Sequence, residues 1–475
     1  MRSVLASPPS SAQAARHRGN RLLVVGVAAF AVAFGGWLAY LAMHAEGWTL
    51  NMIDLNVYRA GGLIVREVPK QGIRLYYNAH LNPSPLYGWT RSGKDGLQFT
   101  YTPFAAVAFA LFSFGSFGTL VVVDTIVNFL ALIAAMWFAL GGLGVADKRV
   151  KAGASLLATA VAIWTEPVFR DIYLGQINLI LMAAILWDLC QPDARKNKGF
   201  VTGIAAGIKL VPLIFIPYLV VTRKFREAAM MVAGFLFTVV VGFAVIPKDS
   251  SKYWIGGLFY KGGRTGFTGW LGNQSLDGLV TRLAGSINAG QPYWLIASLV
   301  VIVLGIGAAA LLYRSGHPVP ALLLTAETGD LVSPISWDHH WVWIAVWIPV
   351  AGWYAWQAWQ HGLRRRAYAF AGAAVATLAV FACWPGYWYG MHMWETETGG
   401  QTFYWGWIWY APNSNPFRTY YLYHDQPWYV EYHWHGLQLL AGNGYVLGGL
   451  LAFGGLVLAA TIPAWRARTR PSPAS

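Results

Sequence analysis

Apolar runs of about twenty residues, separated by short polar stretches, recur along the whole chain. A helix needs about 20 mostly apolar residues to cross the hydrocarbon layer of a bilayer. On that measure the pattern predicts spans at 22–43, 117–143, 152–168 and 175–191. A tight hairpin of two short helices follows over 199–222. Further spans are expected at 228–246, 293–313, 318–335, 338–358, 368–386 and 441–463. The stretch 102–116, broken near Gly115, is expected to be re-entrant or interfacial. The total is about twelve crossings in an all-α polytopic membrane protein.

Basic residues set the direction of each span. Arg16, Arg18 and Arg21 precede the first run; Lys148, Arg149 and Lys151 follow the 117–143 run. Others gather at Arg195, Lys196 and Lys198, at Arg223, Lys224 and Arg226, at Arg314, at Arg364, Arg365 and Arg366, and at Arg466, Arg468 and Arg470. Cytoplasmic loops are enriched in Lys and Arg, so these short loops, the 1–21 tail and the 464–475 tail are expected inside. Three long segments then fall outside: 44–101, 247–291 and the Trp/Tyr-rich 387–438. Residues 1–475 read as one transmembrane unit, and a site built from loops faces outward.

Composition agrees with this plan. The 475 residues are 56% hydrophobic and only 11% charged, and mean hydropathy is +0.44. A soluble chain carries roughly 25% charged residues, and a disordered one is far less apolar. The net charge of +14 is accounted for by the basic inner loops and not by a nucleic-acid surface. Cys190 and Cys383, expected at opposite faces, exclude a disulfide scaffold and a Cys-based zinc site. No Walker A sequence, no strand-borne Gly-x-Gly-x-x-Gly and no Asp-x-Asp pair offers a place for a cytoplasmic nucleotide or its Mg²⁺. An energised substrate would then arrive on a lipid.

Five clusters could carry chemistry. Asp54, with Tyr58 and Arg59, opens the first outer loop. Asp54 reads equally as a helix N-cap and as a general base, since a carboxylate in a partly dry interface gains proton affinity. Glu166, Arg170 and Asp171 occupy a turn before Gly175-Gln176-Ile177-Asn178. That turn reads as a salt bridge with interhelical amide bonds, or as donors and acceptors for sugar hydroxyls. Lys209 lies inside the 199–222 hairpin, either snorkelling to an interface or neutralising a lipid phosphate. Asn273 and Gln274, with Lys261 and Arg264 nearby, close the second outer loop. They read as a helix start or as sugar and phosphate contacts. His339 and His340 follow Asp338 in Ser333-Pro334-Ile335-Ser336-Trp337-Asp338. Neighbours on a helix diverge by about 100°, so a shared metal is disfavoured and donation to phosphate is the better reading. The run 403–410 reads mainly as an interfacial aromatic belt.

Taken in order, these motifs resemble one family. Asp54 in the first outer loop, Gly175-Gln176-Ile177-Asn178, Gly203-x-x-x-Gly207-Ile208-Lys209-Leu210-x-Pro212, Asn273-Gln274-Ser275-Leu276 and Ser333 to His340 are similar to the polyprenyl-phosphate-mannose-dependent α-1,2-mannosyltransferases of actinobacteria. These are glycosyltransferases of GT-C architecture. The resemblance implies mannose transfer from polyprenyl monophosphate mannose to a phosphatidylinositol mannoside, with inversion, at the outer face of the cell membrane. It implies Asp54 as catalytic base. Donor phosphate contacts would come from His339, His340, Lys209, Arg170 and Arg264. Sugar and acceptor contacts would come from Tyr58, Arg59, Glu166, Gln176, Asn178, Asn273 and Gln274. It implies no metal and no cofactor. Arabinofuranosyl transfer from decaprenyl phosphate arabinose and lipid-linked sugar transport are the competing readings.

Overall fold

The computed structural model describes residues 11–44, 50, 52–71, 99–260, 266–383, 408 and 429–461. Residues 384–407 and 409–428 of the aromatic segment, 72–98 of the first outer loop, Lys261 and Arg264 lie outside the described residues, as do 1–10 and 462–475 of the tails. The described residues are helical, with only isolated bridges at Thr165–Ala382 and Asn273–Trp337.

In chain order the α-helices are α1 (Ser11–His44), α2 (Ile53–Gln71), α3 (Pro103–Phe109), α4 (Phe117–Gly142), α5 (Lys148–Ala162), α6 (Glu166–Leu174) and α7 (Asn178–Leu189). Next come α8 (Phe200–Ile208), α9 (Phe215–Val221), α10 (Phe225–Val245), α11 (Pro247–Trp254), α12 (Leu276–Ala284) and α13 (Ile287–Arg314). The chain ends with α14 (Pro318–Val332), α15 (Ile344–Gln360), α16 (Arg364–Phe381), α17 (Leu437–Gly442) and α18 (Gly444–Thr461). Local signals set the starts. Ser116, Asp147, Ser275 and Ser286 accept backbone N–H bonds at the first turns of α4, α5, α12 and α13. Proline opens α3, α11 and α14, where its missing N–H costs nothing.

Among the described residues, five helices are long and apolar enough to cross a membrane unaided: α1, α4, α10, α13 and α18. The pair α6–α7 makes a sixth if counted as one span bent by 113°. Other segments expected as crossings form shorter helices. The 199–222 hairpin breaks at Lys209 into α8, a 3-10 turn over Val211–Ile214, and α9. The run 102–116 forms α3 and a 3-10 turn, then ends in an extended link before α4. Outward faces carry exposed Leu130, Val240, Leu299 and Leu458, as a surface solvated by lipid tails requires.

Between helices, packing rests on small residues. A Cβ on Gly26 of α1 would overlap the Gly153 carbonyl of α5, and a Cβ on Gly153 would lie 2.5 Å from the Leu22 carbonyl. Lipid tails supply no hydrophobic drive between helices, so such close backbone approach supplies the cohesion. One buried cluster joins α1, α4, α5, α6, α7 and α15. A second joins α2, α3, α7, α9, α12, α13, α14 and α18. The α6–α7 elbow lies at their seam.

Candidate active site

The residues read as an outer turn, 166–174, fold instead as helix α6, with Pro167 in its first turn. Gly175 ends α6 in the left-handed region at φ +68°, as C-terminal glycines do. Its lack of a side chain serves twice, because a Cβ there would sit 2.6 Å from Leu55 Cβ and 2.8 Å from Met52 Sδ. The start of α2 is thereby drawn onto the elbow, where the Met52 N–H donates to the Tyr173 carbonyl at 3.0 Å. Asp54 stands in this first turn.

Gln176 is the hub beside it. Its oxygen accepts from the Tyr58 hydroxyl at 2.7 Å and the Tyr101 hydroxyl at 3.3 Å. Its nitrogen lies 3.1 Å from His339 Nε2, and its side chain also hydrogen-bonds Asp54. Burial pushes the Asp54 carboxyl up from its ordinary value. His339, the Gln176 hydrogen bond and the charges of Lys209 and Arg170 pull the other way. Burial, then the neighbouring Tyr101 and Asp54, push the Tyr58 phenol well above its ordinary range. Tyr58 therefore stays protonated and donates.

A buried ionic chain continues from His339. Its Nδ1 lies 3.1 Å from one oxygen of Asp338, while Arg170 Nε donates to the other at 2.6 Å. Arg170 also stands 3.6 Å from Glu166, whose second oxygen accepts from the Tyr445 hydroxyl at 3.0 Å. Asp338 thus faces Nδ1 of His339, and the Gln176 amide faces its Nε2. A second branch runs through Asn178. Its nitrogen donates to Asp171 at 2.7 Å and to the His339 carbonyl at 3.1 Å. Its oxygen accepts from Lys209 Nζ at 2.6 Å.

Lys209 lines a partly open cavity of about 40 Å³. Asn178, Lys209, Asp330 and His340 form its polar end; Leu181, Ile185, Ile214 and Phe215 are among its apolar wall. Nδ1 of His340 is buried without a hydrogen-bond partner.

Asp54, Tyr58, Glu166, Arg170, Gln176, Asn178, Lys209, His339 and His340 thus converge, but several differ from their sequence-read roles. Arg170 is held between Asp338 and Glu166 through its Nε, and both ring nitrogens of His339 are engaged. Glu166 is enclosed in the same ionic chain. Asn273 and Gln274 are fully buried clamps. Asn273 donates to the Thr268 and Pro334 carbonyls and accepts from the Ser336 N–H, and Gln274 donates to the Leu271 and Gly442 carbonyls. They fix the loop ahead of Asp338. Arg59 donates to the Gly115 carbonyl at 3.3 Å. Sequence patterns did not single out Tyr101, Tyr445 or Asp330. Asp330 had a signal, because an acid inside an apolar span is costly and is retained for a reason. Among the described residues no three His, Cys, Asp or Glu side chains group as a metal site.

A carboxylate beside the elbow, and a cavity that sets Lys209 and His340 against an apolar wall, suit group transfer from a lipid-borne anion. That is the class of a membrane glycosyltransferase. Residues 99–334 match glycosyltransferase family 87. A polyprenol-phosphate-mannose-dependent alpha-(1-2)-phosphatidylinositol mannoside mannosyltransferase of Mycobacterium tuberculosis is 30% identical over 363 residues, covering 73% of this chain and 79% of the relative. A pentamannoside mannosyltransferase of that description, also from M. tuberculosis, is 33% identical over 350 residues, covering 73% and 76%. Its counterpart in Mycolicibacterium smegmatis is 30% identical over 351 residues, covering 73% and 78%. The chain belongs to glycosyltransferase family 87. No solved structure matches it.

Proposed function

We propose that this enzyme transfers mannose from polyprenyl monophosphate mannose to a phosphatidylinositol mannoside, with inversion, at the extracytoplasmic face of the cell membrane. The relatives named above are described as polyprenol-phosphate-mannose-dependent alpha-(1-2)-mannosyltransferases of phosphatidylinositol mannosides. The observation that carries the reading is the continuity from Asp54 through Gln176 and His339 to Asn178 and Lys209, which ties a base to an anion cavity.

In this reading Asp54 takes the proton of the acceptor 2-hydroxyl as that oxygen attacks the anomeric carbon. The bond to phosphate breaks on the opposite face, so one displacement turns a β-linked donor into an α-linked product. Lys209 and His340 hold the donor phosphate by charge-assisted hydrogen bonds, and the apolar wall accepts the first prenyl units. Tyr58 and Gln176 orient Asp54. His339, Asp338 and Arg170 are positioning residues that lock the Gln176 amide. The acceptor carries four or five mannoses.

The test uses full-length protein in lipid nanodiscs with polyprenyl phosphate mannose and a tetramannoside acceptor, read by mass spectrometry. Wild type should add one hexose and Asp54→Asn, folded by size exclusion, should add none. Transfer of arabinose but not mannose would overturn the donor assignment. Full activity of Asp54→Asn would remove the base.

A further inference from the structure

Helix α14 is apolar except near its end, where Glu327 and Asp330 lie one turn apart. Both are buried. Glu327 faces Gly449 on α18, and its Oε2 has no hydrogen-bond partner. Asp330 instead lines the cavity that holds Lys209 and His340. The titratable groups that face Asp330 are Lys209 from the end of α8, His340 from the 3-10 turn over Asp338–Trp343, and Glu327 on its own helix. No step described above uses it.

Charge counting gives it a role. A donor phosphodiester brings one negative charge into a cavity that holds one lysine. An ionised Asp330 in the same dry space would repel that donor, whereas a protonated Asp330 leaves phosphate and Lys209 as a neutral pair. When the sugar departs, the phosphate gains a second negative charge. A phosphate monoester takes its second proton near pH 6 in water, and more readily where charge is poorly solvated.

We propose that Asp330 is the general acid of this reaction, entering the cycle protonated and delivering its proton to the phosphate oxygen that carried the sugar. This rests on the donor occupying the cavity as read above. The step balances. The acceptor oxygen bonds to the anomeric carbon and its proton goes to Asp54. The electron pair of the breaking carbon–oxygen bond stays on the phosphate oxygen, which takes the Asp330 proton. The cavity and base together hold the same net charge before and after, so no ion is created or lost in the membrane during turnover. Proton exchange with water then resets Asp54 and Asp330.

The experiment compares wild type, Asp330→Asn and Asp330→Glu in nanodiscs, with polyprenyl phosphate mannose and tetramannoside acceptor, across pH. Asn mimics the neutral acid in binding but has no proton to give. Asp330→Asn should keep donor KM within about twofold and lose about 100-fold or more in kcat, the range typical of a general acid. The alkaline limb of the wild-type kcat profile should vanish in Asp330→Asn, whereas a limb belonging to Lys209 would survive. Asp330→Glu should keep an alkaline limb with kcat between the two. Wild-type kcat in Asp330→Asn overturns the proposal, as does a raised donor KM with unchanged kcat. Should Asp330→Asn fail to fold, wild-type kcat and pH profile in Asp330→Glu overturn it instead. A wild type that transfers no mannose would fail at the earlier reading; one that transfers while Asp330→Asn stays unimpaired would fail only here.

Discussion

Replacing Gly175 with alanine tests the idea that the elbow, and not Asp54 alone, makes the site. Two separable costs apply. Alanine at φ +68° is strained by roughly 1–2 kcal/mol. The added Cβ would also stand 2.6 Å from Leu55 Cβ, where ordinary contact begins at 3.4 Å. The first turn of α2 must therefore retreat by about 0.8 Å, carrying Asp54 away from Gln176. A misplacement of about 1 Å at a reacting group costs on the order of 100-fold in rate, or about 2.7 kcal/mol of barrier. Gly285 supplies the control. It closes α12 at φ +69°, yet a Cβ there meets nothing within 4 Å. Gly285→Ala should lose stability by the backbone term alone and turn over near the wild-type rate. Gly175→Ala should lose a similar amount or more of stability and roughly 100-fold in kcat. The assay is hexose transfer in nanodiscs, normalised to protein that elutes folded. Turnover of Gly175→Ala within about twofold of Gly285→Ala would refute the reasoning, because the close approach to Leu55 would then have no catalytic consequence.

Two further outcomes follow from the same geometry. Burial lifts the Asp54 carboxyl above its ordinary 3.8, and a base works only when ionised, so kcat/KM should fall as pH drops through a value above that. An acid limb at or below 3.8 would place the base elsewhere. Lys209→Met should raise donor KM at least tenfold, whereas His339→Ala should lower kcat with donor KM nearly unchanged, as steady-state kinetics on each variant will report. Equal KM effects would mean that His339 meets the phosphate after all.

The order of motifs made the family legible in the sequence, and proline stands at the starts of α3, α11 and α14. What stayed hidden was the division of labour. Asn273 and His339 look alike in sequence as polar residues near apolar spans. Only the fold reveals that one spends its amide on the Pro334 carbonyl while the other reaches Gln176. Arg170 illustrates the physical reason. A buried guanidinium is pulled toward whatever carboxylate lies closest in space, and its partner Asp338 is 168 residues away. Spacing rules carry no information at that range. Asp330 is legible as an acid in a span, but hydropathy averaged over an apolar run conceals a single carboxyl that faces a cavity.

Helix α7 has 12 residues, about 18 Å at 1.5 Å per residue, between Asn178 at the elbow and the basic cluster at Arg195, Lys196 and Lys198. A bilayer's hydrocarbon layer is about 30 Å thick. In the proposed reading the hydroxyl that attacks and the phosphate that leaves therefore meet at a point below the lipid headgroups. Reaching it requires headgroups to sink or the membrane to thin, so the thickness of the surrounding lipid becomes a rate variable in its own right. Short-tailed bilayers should speed the enzyme and long-tailed ones should starve it, with every active-site residue unchanged.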